Sequence, residues 1–380
     1  MNKRIPYGRQ NLDEKDIAAV SKSLQADFLT TGSAVQEFEA KFSGFVGSKY
    51  AMVVSSGTAG LHLACLAGGL EPDEEIITTP MTFAATANCA LYCGAKPVFA
   101  DINPESGLIN LSEIEKAITP KTKIILPVHY TGNPCEMAEI KRIAEKRKLV
   151  VIEDACHALG ATYRNSKVGD CQYSDMAVFS FHPVKHITTG EGGVITTNRK
   201  DIYEKLLLLR NHGITKEKNR FQNKSDGDWY YEMQELGFNY RLTDFQCALG
   251  ASQLKKINAF LKRRQEIAAR YIRELKRVEE VSFLENTPQS ENAYHLFVIK
   301  IKNGRRQLYD YLKEKGIDCQ VHYLPLYWHP YYQKLGYKKG LCPASEEFYE
   351  TILSLPIYPG LKDFQQESVI KSIGEFFKNA

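Results

Sequence analysis

The chain has 380 residues, 43% apolar and 25% charged, which suits one large or two medium globular domains with substantial cores. Lys+Arg 49 against Asp+Glu 45 gives a formal charge of +4. That excess is spread along the chain with no arginine-rich arm, which excludes an electrostatic nucleic-acid binder and fits an ordinary solvated surface.

No run approaches the ~18 apolar residues of a membrane span, and the first residues carry no apolar signal region. Nine cysteines form no CxxC pair and no fixed framework. Cys89 and Cys93 fall on one predicted helix without a downstream partner pair, so no metal site is expected. Scattered, unpaired cysteines fit reduced thiols, and the expectation is a soluble cytoplasmic protein away from membranes.

Leu12 to Gln25 has helical apolar spacing behind Asn11, a good N-cap, and a second helix is predicted over Ser33 to Val46. Strands and helices then alternate. Strands are predicted at Tyr50 to Val54, Glu75 to Thr79, Lys96 to Ala100, Lys123 to Val128 and Leu149 to Asp154. Helices are predicted at Gly57 to Gly69, Thr82 to Cys93, behind a Ser112 cap, and at Glu136 to Arg147. Two more apolar strands follow, Asp175 to Phe181 and Val194 to Thr197. This is the pattern of an α/β fold, a mainly parallel central sheet with helices on both faces. Ligands on such sheets bind at the carboxyl ends of the strands.

The segment Lys216 to Trp229 is polar and aperiodic and reads as a mobile loop. Near residue 250 the pattern changes. Ala251 to Val278 reads as one long helix, with Lys262-Arg-Arg264 on its solvated face. A strand at His295 to Ile301, a helix at Gln307 to Lys315, an aromatic run from Val321 to Tyr332 and a last helix at Gln365 to Lys378 suggest a smaller C-terminal α+β domain. The expected division is 1–250 and 251–380.

Two residues carry the chemistry. Lys185 lies in a loop between an apolar strand and a Gly-rich turn, and Asp154 ends another strand. A loop lysine with a strand-end carboxylate is what pyridoxal phosphate (PLP) chemistry requires. The lysine binds the cofactor aldehyde, and the carboxylate keeps the pyridine nitrogen protonated. Ser55-Ser-Gly-Thr-Ala-Gly60 joins a strand to a helix N-terminus, where an anion fits and small residues permit close approach. With Lys185 and Asp154 it becomes a candidate phosphate cradle, with Thr58, Ala59 and Ser180 as donors. Phe83 is a core residue by type, yet its place at the sheet mouth suits stacking on a cofactor ring. His157 is a structural histidine by itself and a ring-edge contact beside a cofactor. Leu236 to Gln246 reads as a loop ending in an N-cap at Thr243, with no chemistry assigned.

These segments resemble, in this order, the DegT/StrS family of fold-type-I PLP enzymes, the nucleotide-sugar aminotransferases. The likeness rests on Leu29-Thr-Thr-Gly32, Ser55 to Gly60, Thr82-Phe83, Glu153-Asp154, Phe179-Ser-Phe-His-Pro-Val-Lys185 with Gly190-Glu-Gly-Gly193, Asn239-Tyr-Arg241 and Leu353-Ser-Leu-Pro-Ile-Tyr-Pro-Gly360. The resemblance implies Lys185 as the covalent cofactor lysine, Asp154 as the pyridine partner and Phe83 as the stacking ring. It implies Thr58, Ala59 and Ser180 as phosphate ligands, and His157 near the cofactor's phenolic oxygen. Asn239 is similar to an asparagine that reaches the neighbouring subunit's phosphate, implying a homodimer with shared sites. His329, with Tyr323 and Tyr7, matches positions near the nucleotide-sugar.

Within the family, Ile5-Pro-Tyr-Gly-Arg-Gln10 and His182 to Thr189 look like the pseudaminic acid pathway transaminases. That implies L-glutamate as donor and C4 of a UDP-linked 4-keto-6-deoxy-N-acetylhexosamine as acceptor, in a ping-pong reaction with Lys185 as general base and acid. Amination of another nucleotide-linked 3- or 4-keto sugar is the alternative. A PLP-dependent sugar dehydratase on the same scaffold carries histidine at the lysine position, whereas here His186 follows Lys185 and does not replace it. A binding protein without turnover is disfavoured by the intact Lys185, Asp154 and Phe83 set.

Overall fold

The computed structural model describes residues 4–378. Seven strands form its main sheet: β1 (Tyr50–Val54), β2 (Glu75–Thr78), β3 (Lys96–Phe99), β4 (Thr122–Ile125), β5 (Val150–Asp154), β6 (Met176–Ser180) and β7 (Gly193–Thr197). Their spatial order is β1-β7-β6-β5-β4-β2-β3. Every neighbouring pair is parallel except those of β7, which runs antiparallel to both β1 and β6. The expectation of a mainly parallel α/β sheet is met.

The sheet is covered on both faces, which is why its strands are apolar at almost every position. On one face, Ala51, Val53 and Phe179 pack with Phe38 and Phe42 of α2 (Ser33–Val46). On the other, Met52, Val54 and Val178 pack with Leu61 and Leu63 of α3 (Gly57–Ala67) and Ala90 of α4 (Ala84–Tyr92). Successive residues serve opposite faces, as the strand period of two requires.

A second, antiparallel sheet is built from β8 (Val281–Phe283), β9 (Phe297–Ile301) and β10 (Ile352–Leu355). Its core includes Ile267 and Tyr271, Leu308 and Leu312, Val369 and Ile373. We propose that this unit is a separate C-terminal domain beginning near residue 251. The N-terminal strand segment joins it: Ile5 bridges Ile317, and the Ile357 N–H donates to the Tyr7 carbonyl (3.0 Å).

Several local expectations are corrected. The first helix, α1 (Glu14–Ser23), is capped by Asp13 in a capping box with Asp16, and Asn11 lies outside it. The helix at Leu111–Ala117 is capped by Asn110, whose side chain accepts from the Ser112 N–H, so Ser112 is inside the first turn. Both errors are one side-chain oxygen competing with another a residue or two away. The Thr243 cap is present, in a capping box with Gln246. The long helix expected from Ala251 is two helices, Asp244–Leu254 and Ile257–Leu275. The turn between them brings Lys256 onto Asp16 of α1, which is 1% exposed and also accepts from Ser252 and Gln253.

Arg264 is the largest correction. It is wholly buried, not on a solvated face. It falls on the stripe Phe260, Ile267, Ala268 and Tyr271, so helical spacing carries it inward. Its Nη1 donates to the carbonyls of Tyr294 (3.1 Å), His295 (3.2 Å) and Ile357 (3.1 Å).

Two motifs with no assigned chemistry turn out to hold each other. The buried Asp244 carboxylate accepts from the N–H groups of Gly32 (2.9 Å) and Ala34 (3.2 Å), at the start of α2. Thr30 bridges Thr243, and the Asp244 N–H donates to the Leu29 carbonyl (3.0 Å). A Cβ on Gly32 would lie 2.5 Å from Oδ1 of Asp244, so only glycine fits. One carboxylate thus serves the N-termini of two helices. Asp244→Ala is expected to destabilise the chain by about 2–3 kcal/mol, by orphaning buried N–H groups. Denaturant unfolding midpoints at constant slope check this; an unchanged midpoint contradicts it.

Candidate active site

The carboxyl ends of β2, β5 and β6 open toward one region. The first site residue there is Asp154, 5% exposed, at the end of β5. The Thr86 hydroxyl donates to its Oδ2 (2.7 Å) and the Cys156 N–H donates to its Oδ1 (3.1 Å). Thr86 is one turn along α4 from Thr82, with which it shares a 2.7 Å hydrogen bond. The preceding residue, Glu153, faces the opposite side of the sheet. It pairs with Nε2 of His129 (2.7 Å), while the Cys135 N–H donates to Nδ1 of that ring (3.0 Å). His129 therefore gives its single ring proton to Glu153, and this pair is structural.

Lys185 lies in the loop between β6 and β7, its N–H bonded to the His182 carbonyl (2.9 Å). The residue is partly exposed but its amine is in the interior, and burial lowers the amine's proton affinity, opposed by the nearby Cys156 and Asp154. Its Nζ is 3.5 Å from Nε2 of His295. Around it lie His157, His186, His295 and His322, all buried. His186 is tied to the Ala293 carbonyl (3.0 Å) and does not take the place of Lys185.

His157 shares a 3.2 Å hydrogen bond between Nε2 and the Tyr323 hydroxyl. The Tyr323 ring is 6.4 Å from Phe83, and the Tyr7 ring is 5.5 Å from His322. Phe83 is 61% exposed at the N-terminus of α4, which overturns its assignment by type to the core and leaves a free aromatic face at the sheet mouth.

At the start of α3, Ser56 caps the helix and accepts from the Ala59 N–H (3.1 Å), so Ala59 already has a partner in the bare chain. Thr58 is half-buried in the first turn. The glycines of this turn face protein. A Cβ on Gly57 would meet Cβ of Ser180 at 2.9 Å, and one on Gly60 would meet Val178 at 2.7 Å. They let α3 lie close on β6, which sets Ser180 beside the helix N-terminus.

Hydrogen bonds, ring contacts and close approaches thus link Lys185, Asp154, His157, Tyr323, Phe83, Tyr7, Ser180, Thr58 and Ala59 into one neighbourhood at the carboxyl ends of these strands. Two residues lie outside that neighbourhood, and one of them, Asn239, was expected at the neighbouring subunit's phosphate and not at this chain's own. Asn239 is exposed, in a bridge with Asn211, and its neighbour Tyr240 accepts from the Ser55 N–H (2.8 Å). His329 is exposed at the start of the short helix Pro330–Lys334, and the surrounding run is packing: Tyr327 and Tyr332 are buried against Phe99. Thr86, His295 and His322 were missed. Thr86 had a signal, since it sits one helical turn from Thr82. His295 and His322 had none in the local pattern.

A family profile, DegT/DnrJ/EryC1/StrS aminotransferase, matches residues 10–374. The chain belongs to this family. It is 40% identical over 367 residues, 94% of each chain, to a Campylobacter jejuni UDP-4-amino-4,6-dideoxy-N-acetyl-beta-L-altrosamine transaminase. Helicobacter pylori PseC, an aminotransferase involved in the biosynthesis of pseudoaminic acid, superimposes with TM-score 0.92 at 34% identity, covering 100% of both chains. Spr1654 of Streptococcus pneumoniae, solved in a PLP form, gives 0.92 at 27% identity over 99% of both chains. The enzyme is a PLP-dependent sugar aminotransferase of fold type I.

This aminotransferase has the donor set for that cofactor. It has a buried carboxylate, an amine of lowered proton affinity, an exposed aromatic face and a helix N-terminus. Nδ1 of His157 is buried and has no partner among the described residues, so a polar group is owed there.

The histidine cluster has a measurable consequence. Burial, with the Lys185 cation next, holds His157 and His295 well below the ordinary value of 6.5; burial, with Arg264 next, does the same to His186. Burial pushes His322 down to about 3. Below pH ~6.5 the unfolded chain takes up protons that the folded chain refuses, so stability falls as pH falls. Each ring contributes a slope of at most about 1.4 kcal/mol per pH unit. Denaturant unfolding of the cofactor-free enzyme should show a marked loss between pH 7.5 and 5.5; equal stability at both contradicts the buried, neutral assignment.

Proposed function

We propose that this aminotransferase moves an amino group from L-glutamate to C4 of a UDP-linked 4-keto-6-deoxy-N-acetylhexosamine, giving UDP-4-amino-4,6-dideoxy-N-acetyl-β-L-altrosamine. We place it in the cytoplasm, as a homodimer with shared sites. The observation that carries the chemistry is the meeting of a buried lysine amine, a hydrogen-bonded carboxylate and an exposed aromatic ring at one sheet mouth. The likeness to the C. jejuni transaminase over nearly the whole chain supports the substrate.

When bound, PLP supplies an electron sink for the carbanion left by loss of the α-proton. The chain supplies everything else. Asp154, fixed by Thr86 and the Cys156 N–H, presents a carboxylate to the pyridine nitrogen. The first turn of α3, with Thr58 and Ser180, would hold the phosphate. Phe83 would offer its exposed face to the ring, and His157 would be the neighbour of its phenolic oxygen. Lys185, whose proton affinity burial lowers, would take the α-proton at Nζ as base and hand it back as acid. Glutamate and the keto-sugar use the same opening in turn, so the kinetics are ping-pong. Tyr7 and Tyr323 line that opening and are placed to contact the sugar. Asn239, exposed on its own subunit, reaches the partner's phosphate.

Two outcomes follow from these roles. Lys185→Ala should abolish turnover and the borohydride-sensitive visible absorbance. Mixed with Asn239→Ala subunits, it should give pure hybrids with about half the wild-type activity, because both lesions fall in one of two shared sites. Hybrids as inactive as their parents would remove Asn239 from the partner's site.

Substrate choice is read from product structure. Enzyme, glutamate and a panel of UDP- and dTDP-linked 3- and 4-keto sugars are incubated, and the amine is assigned by NMR. The expected product carries the amine at C4 of the UDP-linked β-L-arabino epimer. A C3 amine, or a preference for a dTDP-hexulose, rejects this substrate and leaves the aminotransferase assignment standing.

A further inference from the structure

His295 opens the strand segment leading into β9, 110 residues beyond Lys185, and is 5% exposed. It is the one described side chain within hydrogen-bond distance of the Lys185 amine, Nε2 to Nζ at 3.5 Å. Its carbonyl is fixed by the buried Arg264 (3.2 Å), so the ring is anchored from behind. Its ring centroid is 4.4 Å from that of His157 and 5.6 Å from that of His186.

We propose that His295 is a positioning residue for Lys185, its unprotonated Nε2 accepting a hydrogen bond from the lysine nitrogen so that the lone pair is turned toward the reacting carbon. The proposal rests on Lys185 being the cofactor lysine. A lysine nitrogen has two N–H bonds as an amine and three as an ammonium, but only one lone pair. A neighbour that donates to the amine consumes the lone pair that does the chemistry. A neighbour that accepts leaves it free, and holds the nitrogen through both protonation states of the cycle.

The groups facing Lys185 keep His295 in the accepting form. Asp154 and Cys156 face it from the end of β5. His157 faces it from one side with Tyr323 bonded behind it, His186 from its own loop, His322 from the loop before Tyr323, and Arg264 stands behind His295. The cations in that set, Arg264 and protonated Lys185, both oppose a proton on His295. With Nε2 bare, the ring proton is on Nδ1. Nδ1 of His295 and Nδ1 of His157 are both buried and unpartnered among the described residues, on rings in contact. Hydrogen bonds join Tyr323 to His157 and His295 to Lys185, and between these two pairs the imidazole rings only pack; a proton on Nε2 of His295 would remove the acceptor at the lysine.

The test uses capture of PLP by the cofactor-free enzyme, followed by visible absorbance across pH, which reports the neutral fraction and orientation of the amine without turnover. His295→Leu removes the acceptor and keeps the bulk. It should lower the plateau rate about tenfold through lost orientation. It should also move the acid midpoint down by about one pH unit, because the ammonium form loses its acceptor. His295→Gln, which retains an acceptor oxygen, should restore most of both. A midpoint and plateau equal to wild type in His295→Leu, or a Gln variant as impaired as the Leu variant, overturns the proposal. If His295→Leu does not fold, 15N-histidine NMR of the wild type decides: a bare Nε2 with Nδ1–H near pH 7 supports it, and a protonated Nε2 overturns it. Capture that persists in Lys185→Ala would instead overturn the lysine assignment on which all this rests.

Discussion

A buried amine with no ion pair among the described residues is the constraint around which this active site is organised. A charged ammonium in a low-dielectric interior costs several kcal/mol unless it is paired. Asp154 is near enough to matter, but each of its oxygens already accepts one hydrogen bond, from Thr86 and from the Cys156 N–H, with a lone pair to spare. A direct ion pair would have held Lys185 as an ammonium, useless as nucleophile or base. By satisfying the carboxylate locally, the chain leaves it available to a ring nitrogen and leaves the lysine free to lose its proton. The four neutral histidines extend the same condition, since a proton on any of them would face both Lys185 and its neighbours.

Holding such a site requires that segments far apart in the chain be fastened without disturbing it. Carboxylates that accept from backbone N–H groups, Asp244 buried and Asp101 partly exposed, do much of this. Asp244 joins α2 to the helix that begins at its own position. Asp101, just beyond β3, accepts from the N–H groups of Ala344 (2.8 Å) and Ser345 (2.9 Å), tying the main sheet to the helix at Pro343–Thr351. Tyr332 reaches Asn88 on α4 (2.7 Å). These links hold the loop carrying His322 and Tyr323 against the sheet mouth. Hydrogen bonds to charged acceptors are worth about 1.5–3 kcal/mol each, and more is lost when one partner is left buried alone.

Arg264 shows how far such fastening goes. Its guanidinium is buried with no carboxylate in contact among the described residues, and burial lowers it to about 10. Three carbonyls compensate it in part, from the segment before β9 and the segment after β10. The cost of that burial is repaid in position, because the same contacts fix His295 relative to Lys185.

Much was legible in the sequence. The seven strands of the sheet, Lys185 after one of them and Asp154 at the end of another all followed from apolar runs and flanking loops, because strand and helix period depend on neighbours a few residues away. The same locality explains the misplaced caps at Asn11 and Ser112, where adjacent oxygens compete for one N–H. Arg264 was misread although its spacing placed it on the apolar stripe, because charge was weighed above period. Tertiary structure alone decided the rest. Phe83 stays exposed although Tyr323 of the remote aromatic run comes within 6.4 Å of its ring, and His329 in that run is turned to solvent. Asp244 meets Gly32, and His295 meets Lys185, only because helices and loops from distant segments pack onto one sheet. Local pattern fixes which face a residue takes on its own element. Which other element meets that face depends on the packing of the whole chain, and the chemistry of this site arises at those meetings.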